Sequence, residues 1–273
     1  MGKKGFFVLY GPPGTGKSTE AAMTFQDALY ISSSPNVTHF YRQWLLTPDG
    51  QASGLRPPKR EVLVDLYNID GDVKLAANGM PVLRPQKATI EALVTQFVTK
   101  CLQEGARGEP LTYRNLIIDE MGTLWSRAHA EIVPTCVTKS GKINTLEAHG
   151  KSAEWSSRLT DLLRQTLAFA NVAVVAHAQE PVPAEDRKGG PKCPNQSTMH
   201  KLCADADGVL HRVLQDAQID IDDPTKSTAA RRLWRVHASE HWLSKIRGLP
   251  DSDFERIAEM PLPEILKLAG FEP

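Results

Sequence analysis

Phe6-Phe7-Val8-Leu9-Tyr10 is an unbroken apolar run that leads directly into Gly11-Pro12-Pro13-Gly14-Thr15-Gly16-Lys17-Ser18. The run, with aromatic and β-branched members between Gly5 and Gly11, predicts a strand buried on both faces. The segment after it matches G-x-x-x-x-G-K-[ST], the Walker A pattern, at every fixed position. Thr19–Ala28 then has helix-compatible composition, which completes the strand–loop–helix order the pattern needs. No other feature narrows the fold so far. Glycines let successive backbone N–H groups turn inward around phosphates with no Cβ in the way. A helix opening near Lys17 aims its free N–H groups and positive dipole end at the same anion. This assigns Gly11, Pro12, Pro13, Gly14, Thr15, Gly16, Lys17, Ser18 and Thr19 to binding ATP. Lys17 reaches the β- and γ-phosphates, and the Ser18 hydroxyl is a ligand for Mg²⁺.

A second carboxylate-bearing strand end must complete such a site. Leu116-Ile117-Ile118-Asp119-Glu120 has the Walker B form, with Asp119 placed to hold Mg²⁺ and Glu120 to polarise an attacking water. The helix before it is marked by Ile90, Leu93, Val94, Phe97, Val98, Cys101 and Leu102 at helical spacing, and Gly105 and Gly108 end it. A third strand, Asn171–Ala176, leads into His177-Ala178-Gln179-Glu180 behind a helix bearing Trp155, Leu159, Leu162 and Leu163. Where P-loop ATPases insert a strand between Walker A and Walker B, its tip carries a polar residue that senses the γ-phosphate. His177 and Gln179 are the candidates, and either could instead be an ordinary hydrogen-bonding residue at a strand end.

Composition removes other classes. Among 273 residues, 32 Lys+Arg stand against 32 Asp+Glu, which argues against a protein that coats nucleic acid by bulk charge. Local basic patches stay open. No apolar run approaches the roughly 20 residues of a membrane helix. The apolar stretch after Lys3 and Lys4 is too short for a secretory signal, and Phe6 stands where a myristoylation site has Ser or Thr. Cys101, Cys136, Cys193 and Cys203 show no Cys-x-x-Cys spacing and read as free thiols of a cytoplasmic protein. Cys193, His200 and Cys203 match no common zinc module.

In this order the motifs resemble the RecA-like ATPases, and among them the compact ones encoded by bacteriophages and prophages. Gly11–Ser18 looks like their Walker A, Leu116–Glu120 like their Walker B and Val172–Gln179 like their sensing strand. Arg187-Lys188-Gly189-Gly190-Pro191-Lys192 resembles the loop after that strand, and Ala204–Leu210 the next strand with its approach. His241–Gly248 is similar to the late Lys-x-Arg strand end whose Lys and Arg act on a neighbouring subunit's ATP, here Lys245 and Arg247. The resemblance implies an α/β RecA-like P-loop fold, a mostly parallel sheet with helices on both faces. It also implies a homo-oligomeric ring or filament in which Arg247 is the finger and Lys245 its companion. One departure stands out. RecA-like enzymes often take their catalytic Glu from the strand after the Walker A helix, but here Ala28–Ile31 runs into Ser32-Ser33-Ser34 with no acid. Glu120 is therefore the base by default.

The resemblance also implies two loops that track single-stranded DNA. The candidates are the stretch around Thr138–Lys151, with Lys139, Lys142 and Lys151, and Glu180–Lys201, with Arg187, Lys188, Lys192 and Lys201. Glycines and prolines mark the second as a mobile, irregular loop. The expected activity is a DNA-stimulated ATPase of recombination or annealing. The alternative is a motor or remodeller acting on a protein partner. A small-molecule kinase is disfavoured, because no Arg-rich lid is evident. Phe40, Tyr41 and Trp44 read as core or subunit contacts before base stacking.

The remaining chain divides into a core over 1–250, with an irregular elaboration at 36–85, and a C-terminal helical tail at 251–273. A strand is expected at Glu61–Tyr67, turns at Asp70-Gly71 and Asn78-Gly79, and a strand at Arg232–Ala238 pairing with Trp242–Ile246. Two short helices split by Pro261 and Pro263 are expected in Ser252–Ala269. Charge is segregated, with basic Arg231–Arg247 against acidic Asp216–Asp223 and Asp251–Glu272, which suits head-to-tail subunit contacts.

Overall fold

Neighbouring side chains of the first strand go to opposite cores, and that divides the molecule into three layers. The computed structural model describes residues 3–34, 38–64, 86–138, 140–193, 195–215, 231–249 and 257–273. In β1 (Phe6–Gly11) every residue is buried. Phe6, Val8 and Tyr10 join a core with α4 (Gln86–Ala106), α5 (Met121–Ile132), α6 (Thr145–Gln165) and α7 (Gln196–Asp205). Phe7 and Leu9 join the other, with α1 (Lys17–Thr24), Tyr41 of α2 (His39–Leu45) and a late helix, α8 (Leu262–Leu268). Each large apolar side chain so buried is worth about 1.5–3 kcal/mol, so β1 is the hinge of both cores.

The sheet order is β3-β2-β4-β5-β1-β7-β8, built from β2 (Ala28–Ser32), β3 (Arg60–Leu63), β4 (Asn115–Asp119), β5 (Asn171–Gln179), β7 (Gly208–Gln215) and β8 (Arg231–Arg235). From β3 through β7 all neighbours are parallel. Both faces are covered, so these strands read as continuous apolar runs rather than alternating ones. The α/β, mostly parallel architecture is the one expected, and β5 lies between β4 and β1 as the RecA-like reading requires.

Several details differ. β8 and β9 (Lys245–Ile246) do not pair with each other; both run antiparallel to β7, β8 along His211–Gln215 and β9 along Gly208–Val209. β7 is long enough to serve both partners end to end. Leu102 falls off the buried stripe of α4 and is 53% exposed. Instead of an irregular loop, the segment after β5 folds back as a short β6 (Gly190–Pro191) on Ala178 and Gln179. Gly189 exchanges backbone hydrogen bonds with His241 and Leu243, because the missing side chain lets the Trp242 ring press against it. The strand expected at Glu61–Tyr67 is described only as β3; Asp70-Gly71 and Asn78-Gly79 lie outside the described residues, as does most of the first tail helix. Residues 257–273 pack into the second core, with Phe271 edge-on to Phe7 at 5.0 Å.

Polar side chains pin the amino-terminal end of the sheet. Asn171 accepts from the Gly5 N–H at 3.0 Å, and its amide donates to Asn115 Oδ1 and the Glu272 carbonyl, each at 2.8 Å. Asp207 accepts from the Phe6 N–H at 3.1 Å and pairs with Arg247 at 3.3 Å.

Candidate nucleotide site

A cleft of about 660 Å³ opens at the carboxyl-terminal end of β1, β4 and β5. Gly14 and Gly16 hold φ of +75° and +84° in the loop that floors it, left-handed angles that a side chain resists. Gly11 is needed for a different reason: a Cβ there would lie 2.3 Å from the Arg212 carbonyl oxygen of β7. α1 begins at Lys17, with its N-terminus facing the cleft. Lys17 is buried; its Nζ donates to the Pro12 carbonyl at 2.6 Å and lies 3.5 Å from Thr15 Oγ1. Burial lowers its ammonium to about 8, and the Asp119 carboxylate works against that shift.

Asp119 ends β4 and is fully enclosed. The Tyr30 hydroxyl donates to Oδ2, and the Glu120 N–H donates to Oδ1 at 2.7 Å. Burial raises the carboxyl above its ordinary range, while bonds from Tyr30, Ser18 and the Glu120 amide hold it down. Ser18 and Asp119 thus present hard oxygen donors side by side at the mouth of a phosphate cradle. That donor set fits Mg²⁺, and the glycine cradle with Lys17 fits a nucleoside polyphosphate.

Glu120 caps α5 in a left-handed conformation, φ 59°. For a non-glycine residue this strain persists only where surroundings fix it. Here Oε2 accepts from Ser33 Oγ at 2.7 Å and from Ser34 Oγ. The two serines follow β2, where the resemblance expects an acid, and hold the Glu120 carboxylate at the end of the neighbouring strand β4. A serine run after a strand was the one sequence signal for this clamp. Tyr30 gave none, since a buried Tyr in an apolar strand reads as core.

His177 stands opposite Gly11 in the β1–β5 register and lines the cleft. Its Nδ1 has no hydrogen-bond partner among the described residues. Burial, then Lys17 and Lys192, lowers its pKa, against Glu120. Gln179 pairs with Gly190 at the strand tip and does not line the cleft. Lys245 and Arg247 are at the opposite end of the sheet. Lys245 Nζ donates to the Ala204 carbonyl at 3.0 Å, and the Arg247 N–H to the Asp207 carbonyl at 2.9 Å. Phe40, 78% exposed, and Trp44 wall the outer cleft, while Tyr41 is core.

With this geometry, comparison with known proteins gives one family. A model of the AAA domain matches residues 3–247. The chain belongs to that family. The match spans every strand of the sheet, from β1 to β9, and carries nucleotide binding and ATPase chemistry as the family's character. Among solved structures, the chain is similar to the flagellar accessory protein FlaH from Methanocaldococcus jannaschii. That likeness is 11% identity over 86% of this chain and 78% of that one, with a TM-score of 0.36. A search of curated protein sequences finds no match. No helix among the described residues is long and apolar enough to cross a membrane.

Proposed function

We propose that this AAA-domain protein hydrolyses ATP with Mg²⁺ and acts on single-stranded DNA in recombination or annealing, as a protein of phage or prophage type. The observation that carries the ATPase reading is the convergence of Lys17, Asp119 and Glu120 on one cleft. Lys17 and the first N–H groups of α1 hold the phosphates. Ser18 and Asp119 would hold Mg²⁺, which when bound would supply positive charge against the phosphoryl oxygens. Glu120 orients the attacking water and accepts its proton. Both serines bond Oε2, so among the described residues Oε1 is left for that water. His177 offers its neutral imidazole to the γ-phosphate.

The DNA reading is supported by the path of the basic segment. It leaves β5 directly after the sensing position, and the Lys192 N–H donates to the His177 carbonyl at 2.8 Å. DNA drawn onto that segment would bear on a residue that faces the γ-phosphate. Some of its cations already have partners: Arg187 pairs with Glu185 at 2.8 Å, Lys188 donates to the Ser239 carbonyl at 3.1 Å, and Lys201 pairs with Asp161 at 3.6 Å. Lys192 is the exposed cation that remains. In a ring or filament, Arg247 and Lys245 act on the neighbour's nucleotide, away from their own cleft.

A protein partner is the second reading, and one observation favours it. The hairpin closed by the Val137–Ile143 bridge carries those two residues at 54% and 55% exposure, and Leu146 in the first turn of α6 is 83% exposed. ATPase rates with and without single-stranded DNA, at two salt concentrations, separate the readings. Stimulation that fades with salt is expected. No stimulation and no salt-sensitive binding would sink the DNA reading in favour of the protein one.

A further inference from the structure

Four arginines lie on β7 and β8, and three are accounted for. Arg212 pairs with Glu20 of α1 at 2.8 Å and stacks on Trp234, its guanidinium carbon 4.7 Å from the ring centre. Arg231 pairs with Glu259 at 2.6 Å, and Arg235 lies 3.5 Å from His211 Nδ1. Arg232 is different. Among the described residues it has no acid partner, it is exposed, and it lines the nucleotide cleft. Its Nη1 sits 3.9 Å from where a Cβ on Gly16 would stand, at the point where the phosphate loop enters α1.

That placement puts a second cation in the cleft beside Lys17. Arg212 stands close to Arg232, with its own acid, Glu20, already engaged. Glu20 Oε1 also accepts from the Leu262 N–H at 3.1 Å, so its charge is fixed between α1 and α8. Arg232 even depresses its neighbour Arg212, behind burial as the main cause. A guanidinium kept beside a phosphate cradle, with no carboxylate partner among the described residues, has the shape and charge to take phosphate oxygens in a forked pair.

We propose that Arg232 binds the phosphates of the nucleotide held by its own chain, in cis. The inference rests on the nucleotide reading of the cleft and adds to it a cation that the Walker patterns do not contain. It also separates two roles for arginine in this fold: Arg232 holds the nucleotide in its own cleft, and any arginine that couples hydrolysis to assembly comes from another subunit.

Fluorescent ATP and ADP titrations of the full chain test this, with thermal melting as the control for folding. Arg232→Ala weakens binding of both nucleotides about 10- to 100-fold, the worth of a charge-assisted hydrogen bond or two. Arg232→Lys recovers part of it, because the charge returns without the fork. Mixing Arg232→Ala with Lys17→Ala then asks in which subunit the residue acts. The second variant supplies Arg232 but cannot hold nucleotide, so in-cis action predicts no recovery of hydrolysis. Recovery in the mixture overturns the proposal, as does a Kd for Arg232→Ala within about twofold of wild type. If Lys17→Ala leaves binding intact as well, the nucleotide reading falls and takes the proposal with it. If only Arg232→Ala is silent, the proposal alone falls.

Discussion

The sheet keeps buried polar side chains at both ends, but the two ends treat them differently. At the amino-terminal end, Asn171 closes three hydrogen bonds, to Gly5, Asn115 and the tail at Glu272, and Asp207 joins the start of β1 to Arg247. Asp27, just before β2, holds a left-handed angle there too, φ 55°, but its carboxylate is paired with Arg56 and Lys59. At the carboxyl-terminal end, His177 Nδ1 and His211 Nε2 are buried without partners among the described residues, and Lys17 makes do with a carbonyl. Glu120, Gly14 and Gly16 hold left-handed angles at the same end. Satisfied polar groups stabilise a fold, while spare donors and stored strain lower its stability and are kept where a ligand will meet them. One end therefore joins the strands and the C-terminal segment, and the other is prepared for an anion.

The sharpest way to break that contrast is Glu120→Gln. The amide keeps the size and can still bond Ser33 and Ser34, but it cannot accept a proton. Hydrolysis should fall by roughly 10²–10⁴ while ATP binding and melting temperature stay near wild type. A single-turnover rate within about threefold of wild type would remove Glu120 as the base.

The other end should respond in stability rather than rate. Asn171→Leu leaves the Gly5 N–H and Asn115 Oδ1 without their partner in a buried place. A loss of about 2–4 kcal/mol is expected from two orphaned groups, read as a lower urea midpoint. Nucleotide affinity of the molecules that remain folded should not move. If affinity falls with stability, the two ends are not separable in the way proposed.

What was legible in the sequence follows the same division. Gly11–Ser18 and Leu116–Glu120 could be read because phosphate and metal binding fix residue type and spacing along a short piece of chain. The strands between them could be read because both faces are buried, which leaves long apolar runs. The Ser33–Ser34 clamp on Glu120, Tyr30 on Asp119, and Arg232 over Gly16 are contacts across 86 to more than 200 positions of sequence. No periodicity carries such a signal. A place near a strand tip points to Gln179 as readily as to His177, but register sets His177 against Gly11 and pairs Gln179 with β6. Nearness in sequence suggests a hairpin of β8 with β9, yet both pair with β7. Their shared partner β7 lies in an earlier stretch, which local reading does not reach.

The serine clamp offers a smaller test inside the carboxyl end. Ser33→Ala with Ser34→Ala frees the Glu120 side chain without removing it, so hydrolysis should drop about tenfold with ATP affinity unchanged. The rate should also lose its sharp dependence on the Glu120 carboxylate: adding Glu120→Gln to the double variant should cost less than it does in wild type. Full additivity would show that the serines only support the fold.

The smallest effect expected is one of pH, and it concerns Lys17. Its ammonium is lowered to about 8 by burial, with Asp119 opposing and His177 as the other titratable group beside it. Phosphates bound at the same place favour the charged form and lift that pKa in the complex. Below about pH 8 the lysine is protonated both free and bound, and affinity for MgATP should be flat. Above it the free protein has lost the proton and binding must recover it, so affinity should weaken by up to roughly tenfold per pH unit. Titration calorimetry in two buffers of different ionisation enthalpy reads this directly. Proton uptake should be near zero at about pH 7 and approach one per nucleotide at about pH 9. His177, already neutral at the lower pH, adds nothing to that alkaline limb. Zero uptake at the higher pH would mean that the Pro12 carbonyl and Asp119 hold the ammonium charged against its burial, and that the empty cradle is less strained than the comparison of the two ends implies.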